Sequence, residues 1–575
     1  MLANRLPRKI FFSTVSLPVF IGVIGCILIY LVGSPIVCLL ISSFKETGLI
    51  TDPGFTFINF IKTYSDFYTY KLFWNSLVFS IGSSALALCL GITFAWIVER
   101  TDTPLRYFLR VMIISIMAIP PIILAVSWVL LLSPRIGYFN KVLMGLFNLE
   151  NAPFNVYSLP GMIFVQGLAL VPTTFLMISP AFRNMDPNLE EAAMVSGAGI
   201  FKLMKTIVLP ILFPSILAAA TFVFIAGLVV FDIPGIIGLP VRIMVFSSQI
   251  FFATHPPDGM ADYGSVSALA MCYLAIIAIT MWIYFRLTRW VQKFTTVTGK
   301  GYRPRVLSLG KWRYVAFSFF VFYFFLAIIA PLGVLIWTSL IPYYSSFSFD
   351  KLGLLTLNNY RIFVEHRKVI LAIKNTFLLT VVSATAVALF SFVISWIVIR
   401  IRSRFSRVLD VLAFVPLGIP HVLIGLALMY VYLTFKFIPI YGTIWIIAIA
   451  YLTGYTSFGT RTMNGAMIQI HSELEEASHI SGASWSRTFT RIIFPLLVPA
   501  IISVWIWVAG HAMRELSAAL MLISGKNDVL TTLLWGFWEG GEMPAAAAVG
   551  VALIVFLILL VGGAQLLARH TRMSF

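Results

Sequence analysis

Residues 189–214 read LEEAAMVSGAGIFKLMKTIVLPILFP, and residues 474–499 read LEEASHISGASWSRTFTRIIFPLLVP. Leu189-Glu190-Glu191-Ala192 stands opposite Leu474-Glu475-Glu476-Ala477, and Ser196-Gly197-Ala198 opposite Ser481-Gly482-Ala483. Ile207, Pro210 and Pro214 stand opposite Ile492, Pro495 and Pro499, every pair 285 residues apart. A register held this long is an internal duplication, which constrains the architecture before any single residue is interpreted.

Toward the N-terminus the repeat continues at an offset of 300. Phe57-Ile58-Asn59-Phe60 meets Leu357-Asn358-Asn359-Tyr360, Asn75-Ser76 meets Asn375-Thr376, and Trp96-Ile97-Val98 meets Trp396-Ile397-Val398. Arg100 meets Arg400, and Ile119-Pro120 meets Ile419-Pro420. The change of offset places fifteen additional residues in the first copy, most simply in the Gly/Pro/Asn-bearing stretch 133–160, which is expected to be a loop.

Each copy is embedded in apolar sequence. The 575 residues are 60% hydrophobic and 11% charged, far from the balance of a soluble globular domain. Crossing about 30 Å of hydrocarbon takes roughly 20 helical residues. Six such runs are expected in the first half, near 17–41, 75–98, 107–132, 157–180, 208–231 and 264–286. Six more are expected near 314–340, 372–399, 408–434, 438–460, 496–523 and 545–568. Lipid offers the backbone no hydrogen-bond partners, so these spans must be helices, and a barrel would show short alternating segments instead. The expectation is an all-α polytopic membrane protein of about 12 transmembrane helices, built as two parallel six-helix repeats with a transport path between them. The first run follows Arg5, Arg8 and Lys9 but is too long for a signal peptide and is read as a retained helix.

A formal charge of +18 raises the question of nucleic acid, but the bases are concentrated in short loops between spans. Arg286, Arg289, Lys293, Lys300, Arg303, Arg305, Lys311 and Arg313 occur together without an acid among them. Arg400, Arg402, Arg404 and Arg407, Lys202 and Lys205, Arg487 and Arg491, and Arg569 and Arg572 repeat the excess. By the positive-inside rule these loops are cytoplasmic, and an even number of spans puts both termini there too. The opposite loop at 232–263 carries Asp232, Asp258 and Asp262 against Arg242 alone. The expected organisation is a first half at 1–285 with its repeated loop at about 186–210, a basic linker at 286–313, and a second half at 314–575 with its loop at about 471–495. Cys26, Cys38, Cys89 and Cys272 fall within spans, without metal-ligand spacing, and read as small buried hydrophobes.

The pattern Glu191-Ala-Ala-x-x-x-Gly197 with Ile207-x-Leu-Pro210, repeated as Glu476-Ala-Ser-x-x-x-Gly482 with Ile492-x-Phe-Pro495, resembles the EAA loop of binding-protein-dependent ABC importer permeases. Gly197 and Gly482 suit the left-handed C-cap of a short helix. In that family the element is a coupling helix seated in a groove of the nucleotide-binding subunit. The resemblance therefore implies that Glu191, Ala192, Gly197, Glu476, Ala477 and Gly482 serve ATPase coupling, with Glu191 and Glu476 in polar contact with the ATPase. The plainer reading is a capped loop helix whose acids favour the positive end of its dipole. Ser478 departs from the family's alanine. With the Thr298-Gly299-Lys300-Gly301-Tyr302 linker, the fused six-plus-six layout is similar to type I importer permeases for ferric iron; related fused permeases carry thiamine or 2-aminoethylphosphonate.

No GxxxxGK[ST] occurs: Gly299-Lys300 and Gly525-Lys526 lack both the upstream glycine and the following Ser/Thr. With HExxH and GxSxG also absent, the chain is expected to be non-catalytic, with any ATPase a separate protein. The resemblance implies a permease subunit that binds no cofactor, ATP and Mg belonging to a homodimeric ATPase. The resemblance further implies a periplasmic binding protein as partner, no nucleic acid, and a place among the lipids of the bacterial inner membrane. Loops 133–160, 240–263 and 524–544 are expected to receive the binding protein.

Ionisable residues at membrane depth are costly and usually face a watery interior. Asp232, His511, Arg514 and Glu515 are the candidates for a translocation path, His511 and Glu515 being spaced to share a helical face. No firm metal site follows from their spacing, although oxygen ligands suit transient contact with a hard cation. The plainer reading is that they are structural pairs or lie at the outer surface. Pro120-Pro121 and Pro420 are expected to kink the third span of each copy. An ion-coupled secondary transporter is the rival from another class, but it has no need of the repeated loop.

Overall fold

The computed structural model describes residues 16–185, 190, 193, 195–197, 199–256, 260–292, 307–345, 349–401, 403–435, 438–471 and 473–570. The described residues form helices, with one isolated bridge between Thr101 and Leu307. Nine of the helices are long and apolar enough to cross a bilayer: Val19–Ser43, Phe67–Arg100, Leu159–Arg183, Met204–Val229, Tyr263–Tyr284, Trp312–Ser339, Arg367–Arg400, Phe489–Arg514 and Met543–Gly563. Two further expected spans are bent pairs, Arg106–Ala118 with Pro121–Leu132 and Arg404–Gly418 with His421–Thr434. The tenth is the helix Ile444–Gln469, whose hydropathy is lowered by buried Thr453, Thr456, Ser457, Thr460 and Asn464. The expected all-α architecture of about twelve spans is therefore present.

The prolines do more than kink. The two arms of the third span meet at 94° and those of the ninth at 111°. In both, the isoleucine before the proline is extended: Ile119 has φ −84° and ψ 120°, and Ile419 has φ −97° and ψ 119°. The proline ring crowds the preceding residue out of the helical region, and the missing N–H makes the position a natural helix start. Pro120 and Pro420 accordingly cap new helices.

Two segments expected as loops are folded. Within 133–160 the chain forms the helix Tyr138–Phe147, closed by left-handed Asn148. Buried Asn140 anchors it by donating to the carbonyls of Leu132, Ser133 and Phe154 and accepting from the Phe154 N–H. Beyond the fifth span, Pro234–Val241 and Phe246–Thr254 make a bent pair at 68°, and Phe231–Gly238 is buried throughout. This segment returns against the second span, where the Asn75 amide donates to the Met244 carbonyl and Ser76 Oγ accepts from the Phe246 N–H at 3.0 Å. In the second copy Asn375 donates to the Asp528 carbonyl, and Thr376 Oγ1 accepts from the Leu530 N–H at 2.9 Å. The repeated Asn-Ser/Thr pair thus satisfies backbone groups that lipid would leave orphaned.

The chain divides into two compact units. One comprises 1–57, 367–532 and 555–575, the other 58–366 and 533–554. These cross the boundary between the sequence copies. The first span lies with residues of the second copy: the Tyr30 hydroxyl donates to that of Tyr432 at 3.0 Å, and Gly25 leaves room for the Phe405 ring. The seventh span lies with the first copy, Phe320 and Tyr323 packing on Phe94 and the Tyr323 hydroxyl donating to the Leu168 carbonyl. Within the second unit Phe67–Arg100 packs most extensively on Leu159–Asn184; within the first, Arg367–Arg400 packs on Ile444–Gln469 and Phe494–Arg514.

Candidate coupling site

The second copy of the repeated loop forms the helix Glu473–Ile480. Gly482 ends it at φ +80°, and Gly197 holds the matching conformation at φ +82°. The Ala483 N–H donates to the Ser478 carbonyl and the Ser481 N–H to the Ala477 carbonyl; the first of these is the long bond of a Schellman cap. A side chain in the left-handed region costs about 1–2 kcal/mol. Gly482→Ala is therefore expected to fray the last turn, read as faster hydrogen exchange at the Ala483 amide; unchanged exchange would refute the cap.

Two faces of this helix differ in character. Leu474, Glu476 and Ala477 are exposed, and Ile480 is 88% exposed. In the first copy Val195, at the position matching Ile480, is 89% exposed. Glu191 and Ala192 lie outside the described residues, so the first-copy coupling assignments rest on Gly197 alone among those described.

On the opposite face Glu475 is buried, with Oε1 2.6 Å from Nε of Arg400. Arg400 ends the eighth span, and its guanidinium also donates to the Ile470 carbonyl at 2.9 Å. Glu190 is likewise buried, with Oε1 2.7 Å from a terminal nitrogen of Arg100 and 3.1 Å from Nε, and Arg100 ends the second span. Arg100 is fully buried. Cations at helix C-termini and an acid in a first turn are both favoured by the helix dipole. The Arg100 carbonyl accepts from the Leu307 N–H at 2.8 Å, tying the end of the basic linker to the same point. These two ion pairs were legible only as an unexplained repeat: Arg100 with Arg400, and the acid preceding each expected coupling glutamate.

The ionisable residues of the spans fall into separate settings. The helix carrying His511 ends at Arg514, so Glu515 leaves its face and the expected His511–Glu515 pairing is not formed. A guanidinium nitrogen of Arg514 lies 2.8 Å from His511 Nε2 instead, and the His511 ring stacks on Trp507 at 3.7 Å. The Glu515 carboxylate accepts from the N–H groups of Ala518 and Ala519 at 3.0 and 3.4 Å. It also lies 3.4 Å from Nδ1 of His421, a residue standing where the first copy has Pro121. Asp232 is buried at the start of the returning segment of the first copy.

A family model described as the binding-protein-dependent transport system inner membrane component matches residues 87–293 and 388–573. The chain is 26% identical over 507 residues to the ferric transport system permease protein FbpB of Actinobacillus pleuropneumoniae, covering 86% of this chain and 70% of that one. It is 22% identical over 486 residues to the Fe(3+)-transport system permease protein FbpB 2 of Haemophilus influenzae, covering 84% and 88%. Among solved structures, a bacterial alginate ABC transporter in complex with alginate pentasaccharide-bound periplasmic protein aligns with 45% of this chain and 94% of its own, at 17% identity and a TM-score of 0.37.

Proposed function

Because the chain belongs to the family of binding-protein-dependent transport system inner membrane components, as a multi-pass, non-catalytic ABC permease subunit, we propose that it carries ferric iron into the cytoplasm. The iron is delivered by a periplasmic binding protein, and the transport is driven by ATP and Mg on a homodimeric ATPase. The observation that carries the reading is the pair of loops with matching exposed apolar side chains, Val195 and Ile480. Outside the bilayer such groups are stabilised by burial in a partner, and the neighbouring Glu191 and Glu476 are assigned to polar contacts with it. The orientation follows from the basic loops: both repeated loops, the linker and both termini face the cytoplasm. Ferric iron is favoured by two relatives matched over most of this chain. Asp232, His511, Arg514 and Glu515 are assigned to the path, where contacts with a hard cation must be transient for release.

The test is ATP-dependent uptake of radiolabelled Fe(III) in proteoliposomes containing the chain, its co-purifying ATPase and the cognate binding protein. Glu191→Ala/Glu476→Ala is expected to abolish uptake. Stimulated ATP hydrolysis with uptake of thiamine or 2-aminoethylphosphonate instead of iron would keep the importer and replace the cargo. Uptake driven by an ion gradient with no associated ATPase would overturn the reading.

A further inference from the structure

We propose that Arg100–Glu190 and Arg400–Glu475 are positioning ties that transmit movement of the two coupling loops to the second and eighth spans; this rests on the permease reading above. Each tie joins the last residue of a 34-residue helix, Phe67–Arg100 or Arg367–Arg400, to the acid immediately before the expected coupling glutamate. The division of labour is visible in the second copy, where Glu475 turns inward to Arg400 while Glu476 is exposed. Adjacent residues on a helix point about 100° apart, so one glutamate holds the permease while its neighbour stays free for a partner.

The same connection is made twice, between corresponding residues of both copies, which a chance surface pair would not reproduce. It is also sheltered: side-chain exposure is 0% and 3% in the first tie, and 15% and 10% in the second. Water screens such a pair little, and in the first tie Arg100 Nε also donates to Glu190 Oε1 at 3.1 Å, which fixes direction as well as distance. Arg400 adds a bond to Ile470, at the end of the tenth span, so the second tie gathers two spans at one loop. In the first copy the Arg100 backbone is held through Leu307. A loop helix pushed by a partner therefore pulls on the ends of spanning helices rather than flexing alone.

The experiment uses the full transporter with ATPase and binding protein, comparing Arg400→Gln, Glu475→Gln and the double variant. ATPase association, ATP hydrolysis, cargo uptake and thermal unfolding are measured on the same preparations. Each single variant is expected to retain ATPase association and hydrolysis within about twofold while uptake per ATP falls on the order of tenfold, and the double variant is expected to be no worse than either single. Proportional loss of hydrolysis and uptake, additive losses in the double variant, or unchanged uptake per ATP would each overturn the tie. The Glu475→Gln variant keeps the side chain's size, and its unfolding midpoint identifies a failure to fold, which would assign the pair to stability instead. Absence of ATPase association in the wild type overturns the permease reading itself, a result distinct from every variant outcome.

Discussion

Gly91→Leu is expected to destabilise the protein by about 3 kcal/mol, the upper part of the usual range for overpacking, and to lower its folded yield. Gly91 lies where the second span crosses the fourth. A Cβ placed there would stand 2.6 Å from both Cβ and Cγ2 of Thr174 and 3.3 Å from the Phe175 backbone nitrogen. The corresponding crossing in the second copy joins Ser391 to Gly459, where a Cβ would stand 2.2 Å from Ser391 Oγ. Position for position, Gly91 corresponds to Ser391 and Thr174 to Gly459. Each crossing therefore has one glycine, on opposite partners, leaving room for one small hydroxylated residue. Small residues let helix backbones approach where lipid supplies no hydrophobic drive toward association. Gly91→Ser alone should destabilise, while Gly91→Ser with Thr174→Gly transfers the second copy's arrangement to the first and should recover most of the loss. Thermal unfolding in detergent measures the cycle; a double variant less stable than Gly91→Ser would refute the complementarity.

Glu515→Ala is expected to lose about 3 kcal/mol and to abolish uptake. Its carboxylate is the acceptor for two buried N–H groups at the start of the helix Ser517–Leu522, and leaving a buried donor unsatisfied costs about 1–3 kcal/mol. All six residues of that helix are buried, so water cannot substitute for the lost acceptor. The Glu515 carbonyl also accepts from Thr531 Oγ1 at 2.7 Å, making the residue a junction between the eleventh span and the segment that follows. Glu515→Gln keeps one oxygen acceptor and should lose less. If Glu515→Ala unfolds at the wild-type temperature yet moves no cargo, the carboxylate serves the path alone and the anchoring role is refuted.

Both expectations connect local packing to transport. The ties at Arg100 and Arg400 require spans that move as stiff bodies, and the glycine crossings stiffen the pairs whose ends they hold. The Glu515 anchor sits at the other end of the eleventh span from Phe489, which packs on Phe392 of the eighth.

The sequence by itself determined the class, the duplication, the place of the spans and the repeated loop with its glycine stops. Those properties follow from apolar run length, residue periodicity and the backbone preference of glycine, all local along the chain. Only the tertiary structure decided that the first and seventh spans lie with the opposite copy, that 231–254 folds back against the second span, and that His511 pairs with Arg514. It also decided that Glu190 and Glu475 turn inward. Two adjacent glutamates are indistinguishable as letters, because the choice is made by where Arg100 and Arg400 end their helices. Sequence spacing encodes faces within an element, but which element covers a face depends on shape and buried hydrogen bonding between residues hundreds of positions apart.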